Sequence, residues 1–287
     1  NEVLKTDHDY IIAIDTDSLY INMEDLVVKV CGEDCSQEKG SAFLDKVSKT
    51  VIMPLLDKSF EELAEYLGAY EQRMSMKREV IADKGIWTGK KHYILNVLNS
   101  EGVQFAEPKI KMLGIEAVKS STPKICRDLI KDAIYIIINN DEKAVQDYIA
   151  ERKEWFLTQS AEDVSFPRGV TNVDKYSDAA NIYGLRTPIH VRGALLHNHL
   201  VKEKKLGGSI ERIYNGARMK YVYLKIPNEL GENVIGFSTQ LPPEFDLHEY
   251  VDYDMQFHKA FIEPISKILA AVGWSPEKIN TLEDFFS

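Results

Sequence analysis

Cysteine is scarce and shows no pairing pattern. Cys31, Cys35 and Cys126 make an odd count without a Cys-x-x-Cys element, so neither a disulfide framework nor a structural zinc site is expected, and a reducing compartment fits. The seven histidines are scattered, and His197 with His199 reads as an incidental surface pair rather than as ligands. Long apolar runs are missing as well. None approaches the roughly 18 to 20 residues that cross a bilayer, and no charged-then-apolar leader opens the chain. The expectation is a protein that is neither secreted nor membrane-embedded. Internal repeats and low-complexity segments are also lacking. Position 1 is Asn rather than Met and the first apolar strand begins only at Tyr10, which reads as part of something longer.

What is present is enough apolar material for a real core: 44% of 287 residues, the size of one large or two modest domains. The net charge of -10 argues superficially against phosphate-rich partners, but local potential matters more than the total. From Arg73 to Lys131 there are 12 Lys and Arg against 6 Asp and Glu. A basic tract therefore sits inside an acidic protein, and charge alone leaves an ordinary solvated face as the simpler reading.

Residues 10–22 carry two short apolar runs around an acidic centre, the pattern of a β-hairpin with carboxylates at its tip. Residues 41–67 place Phe43, Leu44, Val47, Val51, Leu55, Phe60, Leu63 and Leu67 at near-helical spacing, with Pro54 as an expected kink or break. Strands are expected at 76–82, 91–98 and 103–112, the last two joined by the turn at 99–102 and all three forming one antiparallel sheet with the hairpin. The character changes near residue 115. Helices are expected at 123–138, 142–156 and 188–203, with a loop rich in Asn, Asp and Gly before the third. Strands at 218–226 and 233–238 precede a last helix over 253–272. The fold class is α+β: an antiparallel sheet with covering helices, then a mainly helical part with a small β element.

In a strand Asp15 and Asp17 would project to one side and Thr16 to the other. Two carboxylates at one tip can share a divalent cation, and oxygen ligands of that number suit magnesium completed by substrate phosphates better than calcium or zinc. Aspartates also favour turns for local hydrogen-bonding reasons, so the tripeptide alone decides nothing. Alternation likewise puts Lys91 and Tyr93 on one face, where a lysine and a phenol could reach a minor groove whose acceptors are nearly common to all base pairs. Lysines protecting a strand edge are the alternative. Lys119-Ser120-Ser121-Thr122-Pro123 sets a hydroxyl cap before a proline suited to a first helical turn, which is either a plain cap or a phosphate site. Arg192 could hold a phosphate bidentately or pair with an internal carboxylate.

Asp15-Thr16-Asp17-Ser18-Leu19-Tyr20 closely resembles the Asp-Thr-Asp-Ser motif of family-B DNA polymerases, and later segments resemble that family in the same order, most nearly the replicative enzymes of T-even-type bacteriophages. Phe43-Leu44-Asp45-Lys46 with Pro54 is similar to the palm helix after the hairpin. Lys77-Arg78-Glu79 is similar to the next palm strand, with Lys77 where aspartate often stands. Trp87-Thr88-Gly89-Lys90-Lys91-His92-Tyr93 resembles the Lys-Lys-Arg-Tyr element that touches the duplex, with His92 in place of arginine. Residues 119–123 resemble the thumb entrance, and residues 169–176 and 188–193 also resemble the phage enzymes. Ala13-Ile14 replaces the usual Tyr-Gly, adding bulk near the primer end.

The resemblance implies the C-terminal part of a polymerase palm at 1–115, a thumb at 116–281 and a clamp-binding tail at 282–287. It implies catalytic roles for Asp15, Asp17 and Glu79, with Asp17 and Asp15 as ligands of a two-magnesium site. It assigns DNA contacts to Lys90, Lys91, His92, Tyr93, Lys119, Ser120, Ser121, Thr122 and Arg192, and sliding-clamp contacts to Leu282, Phe285 and Phe286. The implied reaction is attack of a primer 3′-hydroxyl on the α-phosphorus of a deoxynucleoside triphosphate, in the cytoplasm of an infected bacterial host. The family's other metal-binding aspartate lies in an upstream Asp-x-x-Ser-Leu-Tyr-Pro motif, and the fingers and exonuclease parts also lie upstream. An N-terminal polymerase part, on the same or a separate chain, is thus an expected partner, and this polypeptide alone is expected to be inactive or nearly so. Two other readings compete: a module that only grips DNA and clamp, and a metal-dependent glycosyltransferase with an Asp-x-Asp motif. The latter ranks far behind, since it gives no reason for the Lys90-Lys91 strand.

Overall fold

The computed structural model describes residues 7–278, which fold as two compact units, Asn1–Leu113 and Gly114–Ser287. In unit 1, β1 (Ile11–Asp15) turns through Thr16 and Asp17 into β2 (Ser18–Ile21). Next comes α1 (Glu24–Cys31), an element the sequence pattern does not announce because Met23 at its N-cap offers no side-chain cap. Its first-turn Glu24 and Asp25 and last-turn Lys29 are nevertheless the charge order that a helix dipole favours.

Ser36 caps α2 (Gln37–Val47) by accepting from the Lys39 N–H. The break expected at Pro54 does not occur. Ser48–Ile52 winds as a π turn that leads directly into α3 (Met53–Leu67). A proline ring meets the carbonyl four residues back and offers it no N–H; widening the turn by one residue relieves both problems.

The strands β3 (Val80–Gly89), β4 (His92–Ser100) and β5 (Val103–Leu113) form an antiparallel meander with β4 at its centre. Its turns are two residues long, Lys90-Lys91 and Glu101-Gly102. Glu101 and Gly102 both have positive φ, +49° and +91°, as tight hairpin turns of the favoured hand require. Residues 93–99 are buried throughout. Two expectations are corrected here. The first strand starts at Val80 rather than 76, and β1–β2 is a separate two-stranded sheet, joined to the meander through side chains instead of a backbone ladder.

Polar ties hold α2 to the meander and the segment leading into it: Gln37 donates to Asp83 at 2.7 Å, Ser41 to Gln104 at 2.8 Å, and Arg78, just ahead of β3, pairs with Asp45 at 2.5 Å. Lys49 and Arg78 hold the Asp45 carboxyl below its ordinary 3.8, outweighing partial burial. A carboxylate lowered by folding adds stability above its unfolded pKa and loses it as pH falls through the folded value. We therefore expect Asp45→Asn to lower stability at neutral pH and to flatten the acid limb of the stability profile below about pH 4, measured by urea denaturation across pH.

In unit 2 a single 3-10 turn (Glu116–Val118) precedes the antiparallel helices α4 (Lys124–Asn139) and α5 (Glu142–Phe156). The short α6 (Ala161–Val164), β6 (Phe166–Gly169), α7 (Val173–Tyr176), β7 (Ser177–Asp178) and β8 (Ile182–Tyr183) come after them. Then come α8 (Ile189–Glu203), β9 (Arg218–Tyr223) and β10 (Val234–Phe237). The chain continues as α9 (Tyr253–Phe257), a second π turn at His258–Ile262 again just ahead of a proline, Pro264, and α10 (Glu263–Ala271). The sheet order is β10-β9-β6. Phe156 packs against Phe257 and Phe257 against Phe261 as tilted ring pairs, centroids 5.1 Å apart, and all three are buried.

Helix α8 lies directly on β10, and glycine makes this possible. A Cβ on Gly236 would stand 2.8 Å from the Gly193 carbonyl carbon and 2.8 Å from Met219 Cε. His197, read from sequence as a surface residue, is instead 2% exposed and sits between the Gly236 and Glu211 carbonyls, 3.0 Å from each. Burial lowers its pKa despite those contacts. Gly236→Ala must push α8 off the sheet. We expect a loss of about 1 to 3 kcal/mol, the range of overpacked cores, read as a fall in thermal midpoint with little change in secondary structure.

Candidate functional site

The hairpin tip is built from three local choices. Asp15 closes β1 opposite Ser18, Thr16 takes φ +46°, and the Asp17 N–H donates back to the Asp15 carbonyl at 2.6 Å. Ser18 Oγ donates to the same carbonyl at 3.1 Å and Thr16 Oγ1 to Asp15 Oδ1 at 3.3 Å. Asp17 is thus a turn residue, and strand alternation does not reach it. Its carboxylate is exposed and has no hydrogen bond or ion pair among the described residues. Asp15 is half-buried and meets one cation, Lys91 Nζ at 3.6 Å. At that distance and exposure the pair is worth at most about 1 kcal/mol, so a metal or phosphate could displace it.

Lys91 comes from the Lys90-Lys91 turn, with φ +61°. The expectation that it shares a strand face with Tyr93 therefore fails: Lys91 is exposed at the tip, while Tyr93 is 8% exposed and packed inward. His92 is exposed, its Nδ1 2.8 Å from the Lys90 carbonyl, and Lys90 projects freely to solvent beside it.

Tyr93 does something the sequence did not suggest. With Tyr20 of β2 and Trp87 of β3 it forms an aromatic cluster, ring centroids 5.4 to 6.4 Å apart, which seats the carboxylate hairpin on the meander. Gly85 makes room for it, since a Cβ there would lie 2.5 Å from the Trp87 ring. Burial raises the Tyr93 phenol, followed by contact with the Tyr20 hydroxyl and the negative charges of Glu79 and Asp15. Glu79 and Asp15 thus both act on the same phenol. Glu79 itself is exposed and paired with Lys111 at 2.5 Å.

Among the described residues, no group of three or more His, Cys, Asp or Glu stands together as a metal site. Asp15 and Asp17 offer two hard oxygen donors at one tip. That set suits magnesium, which is commonly held by one or two carboxylates plus substrate phosphates, and it is incomplete without ligands from elsewhere.

Unit 2 has its own polar cleft of about 360 Å³, lined by Lys119, Ser121, Thr122, Arg168, Lys259 and Lys267 together with the carboxylates Glu116 and Glu263. The hydroxyl cap expected before α4 does not form: Pro123 is the N-cap residue and no side chain caps the helix. Ser121 and Thr122 line the cleft instead, and Thr122 is 5% exposed. Lys119 pairs with Glu116 at 3.0 Å and Lys259 with Glu263. Arg168 and Lys267 have no carboxylate partner among the described residues. Sequence reasoning found Lys119, Ser121 and Thr122 from their motif and missed the other cations, which come from β6, the second π turn and α10.

Arg192 lies elsewhere in unit 2. It donates to Asn233 Oδ1 at 2.5 Å and lies over the Tyr183 ring, 5.6 Å from its centroid; the ring's hydroxyl in turn donates to Glu232. It thus has an amide and an aromatic face as partners rather than an internal carboxylate. Leu282, Phe285 and Phe286 lie outside the described residues. No described helix is long and apolar enough to cross a membrane.

No family model matches the sequence. Two curated proteins do. The DNA-directed DNA polymerase of Enterobacteria phage T4 is 30% identical over 301 aligned positions, and that of Escherichia phage RB69 is 32% identical over 304. Each alignment covers 100% of this chain and 33% of the polymerase, so the chain spans about a third of the length of the curated relatives it matches. The resemblance first carried by Asp15-Thr16-Asp17-Ser18 is borne out, and the chain is similar from end to end to one third of phage DNA-directed DNA polymerases.

Proposed function

We propose that this chain is the C-terminal, palm-and-thumb third of a phage-type family-B DNA polymerase, contributing part of a two-metal nucleotidyl-transfer site and the grip on primer-template DNA. The observation that carries this reading is the free Asp17 carboxylate beside Asp15, at a hairpin tip within a chain similar throughout to such polymerases. Asp17 and Asp15 would hold magnesium, with Glu79 supporting. The bound metal supplies charge neutralisation for the primer hydroxyl and the triphosphate.

The rest is positioning by this chain's own residues. The aromatic cluster fixes the hairpin tip, and Lys90, Lys91 and His92 stand at an exposed turn where a duplex backbone can be met. Lys119, Ser120, Ser121 and Thr122, joined by Arg168 and Lys267, offer hydroxyls and charge to a phosphodiester. Arg192 adds a further DNA contact.

The remaining ligands and the triphosphate grip belong to an N-terminal polymerase part. Unit 1 offers it apolar surface: Ile12 and Ile14 on the hairpin and Leu55, Leu63, Tyr66 and Leu67 on α3 are all at least 40% exposed, more than an isolated unit usually leaves open. Leu282, Phe285 and Phe286 are assigned to a sliding clamp, and the working place is the cytoplasm of an infected bacterial host.

Mixing the chain with its N-terminal counterpart should give magnesium-dependent primer extension, and Asp17→Asn should lower its rate more than about a hundredfold without weakening duplex affinity. No extension from the mixture would leave the alternative, a non-catalytic DNA- and clamp-binding module. For the grip, Arg168→Ala with Lys267→Ala should reduce the slope of log affinity against log salt by roughly one to two for duplex DNA. An unchanged slope would remove the cleft from the interface.

A further inference from the structure

Two thiols lie apart from both sites, at the elbow between α1 and α2. Cys31 is the last residue of α1 and stands one helical turn after Val27, on the same helix face. The chain then reverses over Gly32, at φ +88°, and the Cys35 N–H donates to the Gly32 carbonyl at 3.3 Å. A Cβ placed on Gly40 of α2 would lie 3.5 Å from Val27 Cγ1 and 3.7 Å from Cys35 Sγ. The Cys35 sulfur and Val27 thus both border Gly40 in the α1–α2 contact, and Cys31 lies one turn along the same face of α1. Burial and hydrogen-bond contact with the Cys35 thiol raise the Cys31 thiol. Both sulfurs belong to partly exposed residues, whereas Cys126 is fully buried and its thiol is pushed up to about 12 by that burial.

We propose that Cys31 and Cys35 form a reversible redox dithiol whose substrates are low-molecular-weight disulfides. Cys35, as thiolate, attacks one sulfur of the small disulfide and forms a mixed disulfide, expelling one small thiolate. Cys31 gives up its proton and attacks Cys35 Sγ, which forms the Cys31–Cys35 bond and expels the second small thiolate. The protein dithiol is oxidised, the small disulfide is reduced to two thiols, and those thiols carry away both protons.

The elbow gives the bond a consequence. Tyr10 at the start of the hairpin donates to Asp25 of α1 at 2.8 Å, while α2 is tied to the meander through Gln37 and Ser41. Closing the elbow fixes α1 against α2, and with it the link between the carboxylate hairpin and the sheet. A loop this short removes little chain entropy, so the effect is one of position more than of stability.

The test is exposure of the native chain to oxidised glutathione, acid quenching, and mass spectrometry of the intact protein and its peptides. The expected result is loss of two of the three thiols, a mass lower by two hydrogens, a Cys31–Cys35 peptide pair, and full reversal by dithiothreitol. Cys31→Ser should instead accumulate glutathione on Cys35, with an unchanged circular-dichroism spectrum showing that the variant keeps its fold. A lasting glutathione adduct on the wild-type chain would overturn the proposal. So would a native pair that stays reduced under conditions in which the urea-unfolded chain cyclises.

Discussion

The carboxylate hairpin owes its place to three aromatic rings. β1 and β2 share no backbone ladder with the meander, and a two-stranded ribbon is marginal alone in water. What fixes it is the packing of Tyr20 against Trp87 and Tyr93, each such contact being worth about 0.5 to 1.5 kcal/mol beyond its buried area. That packing depends in turn on the missing side chain at Gly85, over which the Trp87 indole folds. A glycine in a strand interior normally weakens it. Here the cost is accepted because a Cβ would expel the ring that seats the hairpin.

From this constraint comes the electrostatic character of the tip. Seating the hairpin brings Asp15 within reach of Lys91 and lets the charges of Asp15 and Glu79 both act on the Tyr93 phenol. Burial is the larger cause of the raised Tyr93 phenol, and these two charges push it the same way. Asp17, two residues beyond the last strand position of β1, escapes these contacts and stays available. Under the proposed metal role this division is useful, with one carboxylate held lightly by a replaceable lysine and one left open.

Sequence patterns carried the elements whose signals are local. Helix α5 is set by its period, and the Glu101-Gly102 turn by its chemistry. Strand alternation failed at Lys91 and Asp17 for a common reason: each lies in a two-residue turn, where the backbone leaves the pleat and the period-two rule stops. Pro54 read as a kink or break because a proline's local effect is disruptive, and the π turn before it shows how the helix absorbs it without breaking. His197 read as surface because nothing local reveals that α8 is pressed onto β10 by two facing glycines.

The two candidate sites differ in legibility for a deeper reason. The hairpin tip is contiguous in sequence, so its residue types and spacing announce it, and the likeness to phage polymerases agrees. The cleft in unit 2 gathers Lys119, Arg168, Lys259 and Lys267 from four separate elements, and no spacing rule links them. One signal was available in principle. A hydroxyl-rich segment ahead of a proline-started helix invites a cap, and when tertiary structure declines the cap, the hydroxyls need another partner. A buried threonine here lines one cleft with two cations that have no carboxylate partner among the described residues, a lining that can offer a hydroxyl and positive charge to an anion. On the proposed reading, the hydroxyls that leave this helix uncapped are offered to a phosphodiester instead.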